Sequence, residues 1–352
     1  MASEIAPAHP TTPGMGAPKP KNNSLAPPSM LRRYGSQLGI IGVGIVMWLA
    51  FVIAAPAVFT NIDIYLAFAE TTPVFGIIAL GLTLVVITGE IDLSFPSVMA
   101  LGTAIFCLGV TQWGLPWWLA LVAAFAVGAI CGGINGWLVA KLNIPSLVIT
   151  IGTQFLFRGL ELVLMNGTGV PLTADKYPEL HNIFRNPLFG SLPVETVWMV
   201  VLGIATWLLL NRTRFGAHVF LVGDNQTSAR LMGVSVTKVK IGTFVLVGVL
   251  SVFAGLMVSI YGYYFWPTTG DGYMLTAIAS VFLGGTSVFG GTGSIVGTFV
   301  ASYIIGAINA GIVSAGINAF YTQLAFGLVI VVSVVLQTII ERRIRRQSLT
   351  GR

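Results

Sequence analysis

The sequence predicts an all-α polytopic membrane protein with about ten transmembrane helices and both termini cytoplasmic. Three observations predict it. The 352 residues are 55% hydrophobic and only 9% charged, with a mean hydropathy of +0.88. A soluble fold could not cover its surface with so few charges. The apolar residues fall in runs close to the roughly 20 residues that cross about 30 Å of hydrocarbon. The basic residues collect between alternate runs, the pattern of loops held on the cytoplasmic side.

Met1 to Ser29 holds seven of the seventeen prolines and no apolar core. Residues 1–34 therefore read as a disordered cytoplasmic tail. No hydrophobic region lies near the start, so a cleavable signal peptide is not expected. Arg32 and Arg33 precede the first span and hold the amino end inside.

Ten spans follow within a transmembrane domain of residues 35–341. They are Leu38–Phe59, Tyr65–Thr88 with Pro73 as a kink or break, Phe95–Gln112, Trp117–Ala140 and Leu147–Met165. A polar outer loop runs from Asn166 to Pro193. The remaining spans are Val194–Leu210, Ile241–Tyr261, Met274–Phe289, Ile295–Val313 and Phe320–Ile340. Met274–Phe289 is short and contains Gly284 and Gly285, which suits a broken or re-entrant segment. Residues 342–352, with Arg342, Arg343, Arg345 and Arg346, form a basic cytoplasmic tail.

Charge supports this register. Of 18 Lys and Arg, Arg158, Lys176 and Arg185 fall in a span or an outer loop, which leaves fifteen inside. Trp113, Trp117, Trp118, Trp198 and Trp266 fall near outer ends, where aromatic belts sit. The net charge of +6 is thus a topology signal and not a nucleic-acid signal. Cys107 and Cys131 lie in apolar runs and suit packing. His9, His181 and His218 are far apart, and no Cys/His cluster calls for a metal or another cofactor.

Residues 211–240 form a basic inner loop with Arg212, Arg214, Arg230, Lys238 and Lys240 against one acid, Asp224. Its middle reads as a short helix, with Asn225 as N-cap, Gln226 to Met232 as the body and Gly233 as the stop. An exposed helix there is a place for a soluble partner to dock.

GEIDLS, Gly89 to Ser94, is the second stretch of interest. Glu90 and Asp92, bounded by Gly89 and Pro96, mark one helix end and the next helix start. They form either a hinge of the inner vestibule or a turn that only caps helices. A weak internal repeat relates Ile87–Gly102 to Val288–Tyr303, each a Gly-containing break followed by a Ser and a small-residue helix start. Chance similarity in Gly-rich sequence is the alternative.

Four blocks in order, GEIDLSFPSVMALG (89–102), RGLELVLMNG (158–167), GDNQTSARLMGV (223–234) and AIASVFLGGTSVFGGTGSIVGT (277–298), resemble the permease subunits of bacterial ABC importers for simple sugars, of the ribose, xylose and galactose type. The resemblance covers roughly Asn61 to Ile340. Branched-chain amino-acid permeases share the general plan, but the GEIDLS block resembles the sugar group. Phe95-Pro96 stands where that group more often has a small residue and Gly.

The resemblance implies a membrane pore subunit of the bacterial inner membrane that imports a monosaccharide or small polyol. It implies three protein partners: a cytoplasmic ABC ATPase, an extracytoplasmic sugar-binding protein and a second permease copy. The segment with Gly223, Asp224, Asn225, Ala229, Arg230 and Gly233 would couple to the ATPase. The lipid bilayer surrounds the subunit, and neither nucleic acid nor a cofactor is implied. The chain has no P-loop of its own and is not expected to be an enzyme.

Gly89, Glu90, Asp92, Ser94, Arg158, Glu161, Gly284 and Gly285 are the candidate hinge or gate residues. Arg158 and Glu161, three apart, share a helix face and can pair. They either line an outer gate or hold two helices together. The glycine run from Gly284 to Gly297 suits close packing with a hinge near the pathway. Tyr261, Tyr263, Tyr264, Phe265, Trp266 and Asp271 suit sugar contacts or an interfacial belt. The rival function is an ion-coupled secondary transporter or channel, which would ordinarily carry an acid at the membrane midplane. Glu161 comes nearest to one.

Overall fold

The computed structural model describes residues 42, 44–46, 48–49, 51–53, 55–188, 192–314, 316–318 and 320–350. They belong to one compact unit, Ser36–Arg352. The expected tail, residues 1–34, lies outside the described residues. So does part of the first expected span, whose described portion contains an apolar helix over Gly44–Ile53.

Thirteen helices with complete bounds follow: α1 Pro56–Phe59, α2 Ile62–Ile87, α3 Phe95–Thr111, α4 Trp117–Leu142, α5 Ser146–Met165, α6 Pro178–Phe184, α7 Val194–Arg212, α8 Arg214–Asp224, α9 Gln226–Leu231, α10 Val236–Tyr261, α11 Tyr273–Leu283, α12 Ile295–Ser314 and α13 Phe320–Thr350. Six are long and apolar enough to cross a membrane: α2, α4, α5, α7, α10 and α12. Shorter apolar helices match expected spans at Gly44–Ile53, Phe95–Thr111, Tyr273–Leu283 and Phe320–Val335.

Helix α2 is the centre of the bundle. Asn61 caps its start by accepting a hydrogen bond from the Asp63 amide. Every residue from Thr72 to Ile87 is buried, Pro73 included. The helix continues through Pro73, so the break that was one expectation does not occur. Helices α7, α10, α11 and α12 pack around it. Helices α4 and α10 meet along small residues. A Cβ on Gly132 would collide with the Phe244 backbone, and one on Gly128 with the Gly248 carbonyl. In a bilayer, where lipid is as apolar as leucine, such close backbone approach is a main source of helix attraction. By contrast, α5 and α7 turn much of their apolar surface outward, including Phe155, Val163 and Ile204.

One element follows the sequence reading of a short, broken segment and two depart from the reading. First, α11 has 11 residues, about 16 Å at the usual rise, too short to cross alone. It ends at Gly284 and Gly285, and Gly285 takes φ +84°. Second, residues 211–240 are not an open loop. They hold α8, α9 and the first turn of α10, which starts at Val236 and not at Ile241. Third, the polar loop 166–193 is partly ordered. Strand β1 (Val170–Pro171) pairs antiparallel with β2 (Tyr264–Phe265), and α6 packs against α10 and α7. The backbone beyond Ile340 stays helical to Thr350.

Candidate functional site

The Gly-containing breaks after α2 and α11 meet the last turn of α8 at one end of the bundle. Helix α2 ends at Ile87 and Gly89 turns the chain with φ +82°. The Ile87 carbonyl accepts a hydrogen bond from the Gly291 amide at 2.8 Å. Gly223, in the last turn of α8, fits against both: a Cβ there would run into the Ile87 carbonyl and the Gly291 amide. Gly290 (φ +84°) lies against Gly89 and Gly223, and Gly291 (φ +76°) lies against Asp224. The glycine run thus touches both GEIDLS and the coupling block through backbone atoms, and the coupling block also touches the end of α2 at Ile87. The two breaks proposed as repeats face each other, although their serines differ in role. The Ser294 hydroxyl accepts from the Gly297 amide at the start of α12. Ser94 makes no such cap.

An ion pair ties this junction to α10. Lys240 Nζ lies 2.5 Å from Glu90 Oε1, and both side chains are nearly buried. Charge counting had placed Lys240 in an exposed basic loop. It is five residues inside a helix, and it neutralises the first acid of GEIDLS. The second acid, Asp92, is buried and accepts hydrogen bonds from the Ser94 amide and hydroxyl. Burial lifts its carboxyl to about 6, against the pull of those two bonds. The Ser94 hydroxyl in turn accepts from Asn135 of α4. The Ile91 amide donates to Ser146 at the start of α5. GEIDLS is therefore a hub that touches α4, α5 and α10.

The coupling segment projects from the junction. Thr213 caps α8 by accepting from the Gly216 amide, and Val219 and Val222 bury one face of it. Asn225 caps α9 by accepting from the Ser228 amide, as the sequence predicts. Gly233 follows with φ +81°, also as predicted. Ala229 is fully buried and seats the helix, so it faces the body of the protein. Asp224, Asn225 and Arg230 are exposed. Leu231 is 84% exposed and Met232 59%. These two apolar side chains were not singled out by motif or charge; the signal available was an apolar pair inside a basic stretch.

Two amino acids after Ser94, the chain reaches a second cluster. Arg158 donates to the carbonyls of Pro96 (3.4 Å), Thr269 (3.1 Å) and Pro267, and to Asp271 Oδ1 at 2.8 Å. Glu161 is 3.9 Å away, fully buried, and accepts no hydrogen bond among the described residues. Arg158 thus clasps the 266–271 loop to α5 and to the start of α3, and its nearer carboxylate is Asp271. Gly270 (φ +98°) lets this loop approach the Pro96 carbonyl, where a Cβ would clash. Gly284 lies against Gly297 and Thr298, a packing role at the far end of α11.

Beside the clasp opens a cavity of about 900 Å³. It lies between the first half of α2, the end of α10, the start of α11, the second half of α12 and the start of α13. Glu70, Tyr261, Asp271, Tyr273, Asn309 and Gln323 are among its walls. Tyr261 donates to Glu70 Oε2 at 2.9 Å. Arg185, outside the cavity, lies over the Tyr261 and Tyr263 rings and donates to the Tyr261 carbonyl.

Comparison with known proteins agrees with this architecture. Residues 64–334 match the family described as "Branched-chain amino acid transport system / permease component". The chain is 36% identical over 261 residues to the ribose import permease protein RbsC of Bacillus subtilis, covering 74% of this chain and 80% of that one. It is 36% identical over 271 residues to RbsC of Escherichia coli K12, with 76% and 83% covered. It is 33% identical over 312 residues to the autoinducer 2 import system permease protein LsrD of Photorhabdus laumondii, with 88% and 92% covered. No solved structure matches. The match runs from the first turn of α2 into the apolar part of α13, so the chain belongs to this family of membrane transport permeases.

Proposed function

We propose that this chain is the permease subunit of an ABC importer that carries a monosaccharide or small polyol across the bacterial inner membrane. A separate ATPase supplies the energy at α9, an extracytoplasmic binding protein delivers the solute, and a second copy of this chain completes the pore. All ten apolar helical segments lie in the bilayer, with both termini and the 223–233 segment cytoplasmic. The subunit has no catalytic role of its own.

The observation that carries this reading is the junction. The exposed Leu231 and Met232 sit at the end of α9, which follows directly on the last turn of α8, where Gly223 is packed against the end of α2 and Gly291. Force on α9 is therefore delivered to backbone, with no side chain between to absorb it. From GEIDLS the contacts continue through Ser94 and Pro96 to Arg158 and Asp271 at the cavity. Spatial continuity supports coupling; a two-state element that both ends bias would establish it. The short α11, broken at Gly284 and Gly285, is the segment suited to that part. Discontinuous helices commonly flank transport sites.

Reconstitution tests the proposal. Proteoliposomes with the permease, its ATPase and its binding protein should accumulate D-ribose or a related neutral sugar only with ATP, and an uncoupler should leave uptake intact. Uptake that needs no ATP and collapses with the uncoupler would favour ion coupling through Glu161 and Arg158.

A further inference from the structure

We propose that the cavity beside the Arg158 clasp is a solute subsite of the permease, built for a neutral polyhydroxylated molecule and unsuited to an α-amino acid. This rests on the transport reading above, and it separates two chemistries that the family's name and its relatives' names leave side by side.

The first argument is the wall chemistry. Two carboxylates, Glu70 and Asp271, two carboxamides, Asn309 and Gln323, and the phenols of Tyr261 and Tyr273 face one space. Carboxamides both donate and accept, and carboxylates accept in pairs. A polyol presents hydroxyl groups that do both, so this set satisfies it from several directions. No Lys, Arg or His stands among the described residues lining the cavity. The carboxylate of an amino acid would have no counter-charge there and would face two acids. Arg158 does not supply one, because it is not among the lining residues and its charge is already met by Asp271 at 2.8 Å.

The second argument is placement. Asn309 lies within α12, a helix apolar enough to cross the membrane, and it is exposed. Gln323 is exposed in the first turn of α13. Uncompensated amides facing lipid are costly. They face the cavity, where a polar occupant satisfies them. Tyr273 and Phe75 add ring surface for the apolar face of a sugar. A volume of about 900 Å³ falls within the usual range for small-molecule sites. The site is also mechanically connected: Asp271 is held at 2.8 Å by Arg158, the last link of the path from α9.

Ala310 lines the cavity, and the chain's own Cys107 and Cys131 are buried. Ala310→Cys, in the permease–ATPase complex in nanodiscs and read on the permease chain alone, therefore offers that chain a single accessible thiol. Its modification by a small maleimide should slow about threefold or more once D-ribose or another neutral sugar from a panel exceeds about twice its Kd. L-Leucine should give no protection. Asn309→Leu and Gln323→Leu, tested separately in the Ala310→Cys background and each checked for an intact complex, should abolish protection. Protection by L-leucine, protection by neither class, or protection that survives both substitutions would overturn the subsite. Uptake by the full importer is scored separately. Sugar uptake without protection sinks the subsite and leaves the transport reading standing. Uptake of L-leucine with no sugar carried sinks both.

Discussion

Lys240 and Glu90 join the two parts of the chain that motif reading kept apart. Removing one partner of a buried ion pair leaves an uncompensated charge and typically costs about 3 kcal/mol or more. Lys240→Met should therefore lower the thermal stability of the purified subunit, and Lys240→Met with Glu90→Leu should recover most of the loss. Equal destabilisation by the double variant would mean that the pair is not the source. Gly223 makes a stricter demand. Its Cβ position is occupied by the Ile87 carbonyl, so Gly223→Ala must push α8 away from α2. Solute-stimulated ATPase activity of the complex should drop, while Gly233→Ala, with open space around it and only left-handed backbone strain of about 1 kcal/mol, should change it little. Arg158 carries a third test. Arg158→Met releases the 266–271 loop and should reduce uptake by about tenfold or more. Glu161→Gln should stay close to the parent, because the Glu161 carboxylate makes no hydrogen bond that the amide would lose. The reverse order, measured as initial uptake rates at equal protein, would restore Glu161 to the ion-coupling part.

At the scale of elements, the long helices were legible because a bilayer demands a simple signal. Ile62–Ile87, Trp117–Leu142 and Ser146–Met165 each match the expected span to within three residues at both ends. The cap at Asn225 and the stop at Gly233 were legible for a local reason: each acts on neighbours within four residues. Helix α8 was not. Its cap at Thr213 and its buried positions at Gly216, Val219 and Val222 are a short amphipathic pattern, hidden by a count of basic residues. Lys240 was misplaced by the same count, since its partner Glu90 is 150 residues away and pairing across that distance leaves no sequence signature. Arg158 was seen with Glu161, its neighbour in sequence, and not with Asp271, its neighbour in space. The exposed pair Leu231 and Met232 gives α9 its own prediction. Leu231→Glu should abolish co-purification of the ATPase with no change in the thermal stability of the isolated permease, because the side chain is almost wholly exposed. Loss of stability would instead make it part of the packed body.

For the whole molecule, one picture links these pieces. An α9 platform meets a backbone junction at Gly223, Ile87 and Gly291. GEIDLS ties that junction to three helices, and Arg158 passes its position to Asp271 on the cavity wall. The measurement that tests this most directly is ATPase activity in the material recovered with the tagged permease from native membranes. Recovery of an ABC ATPase whose activity responds to solute and binding protein, and which is lost when residues 223–233 are scrambled in a still-folded permease, is the expected result. Recovery of the permease alone, with uptake that persists without ATP and collapses on adding an uncoupler, would contradict it.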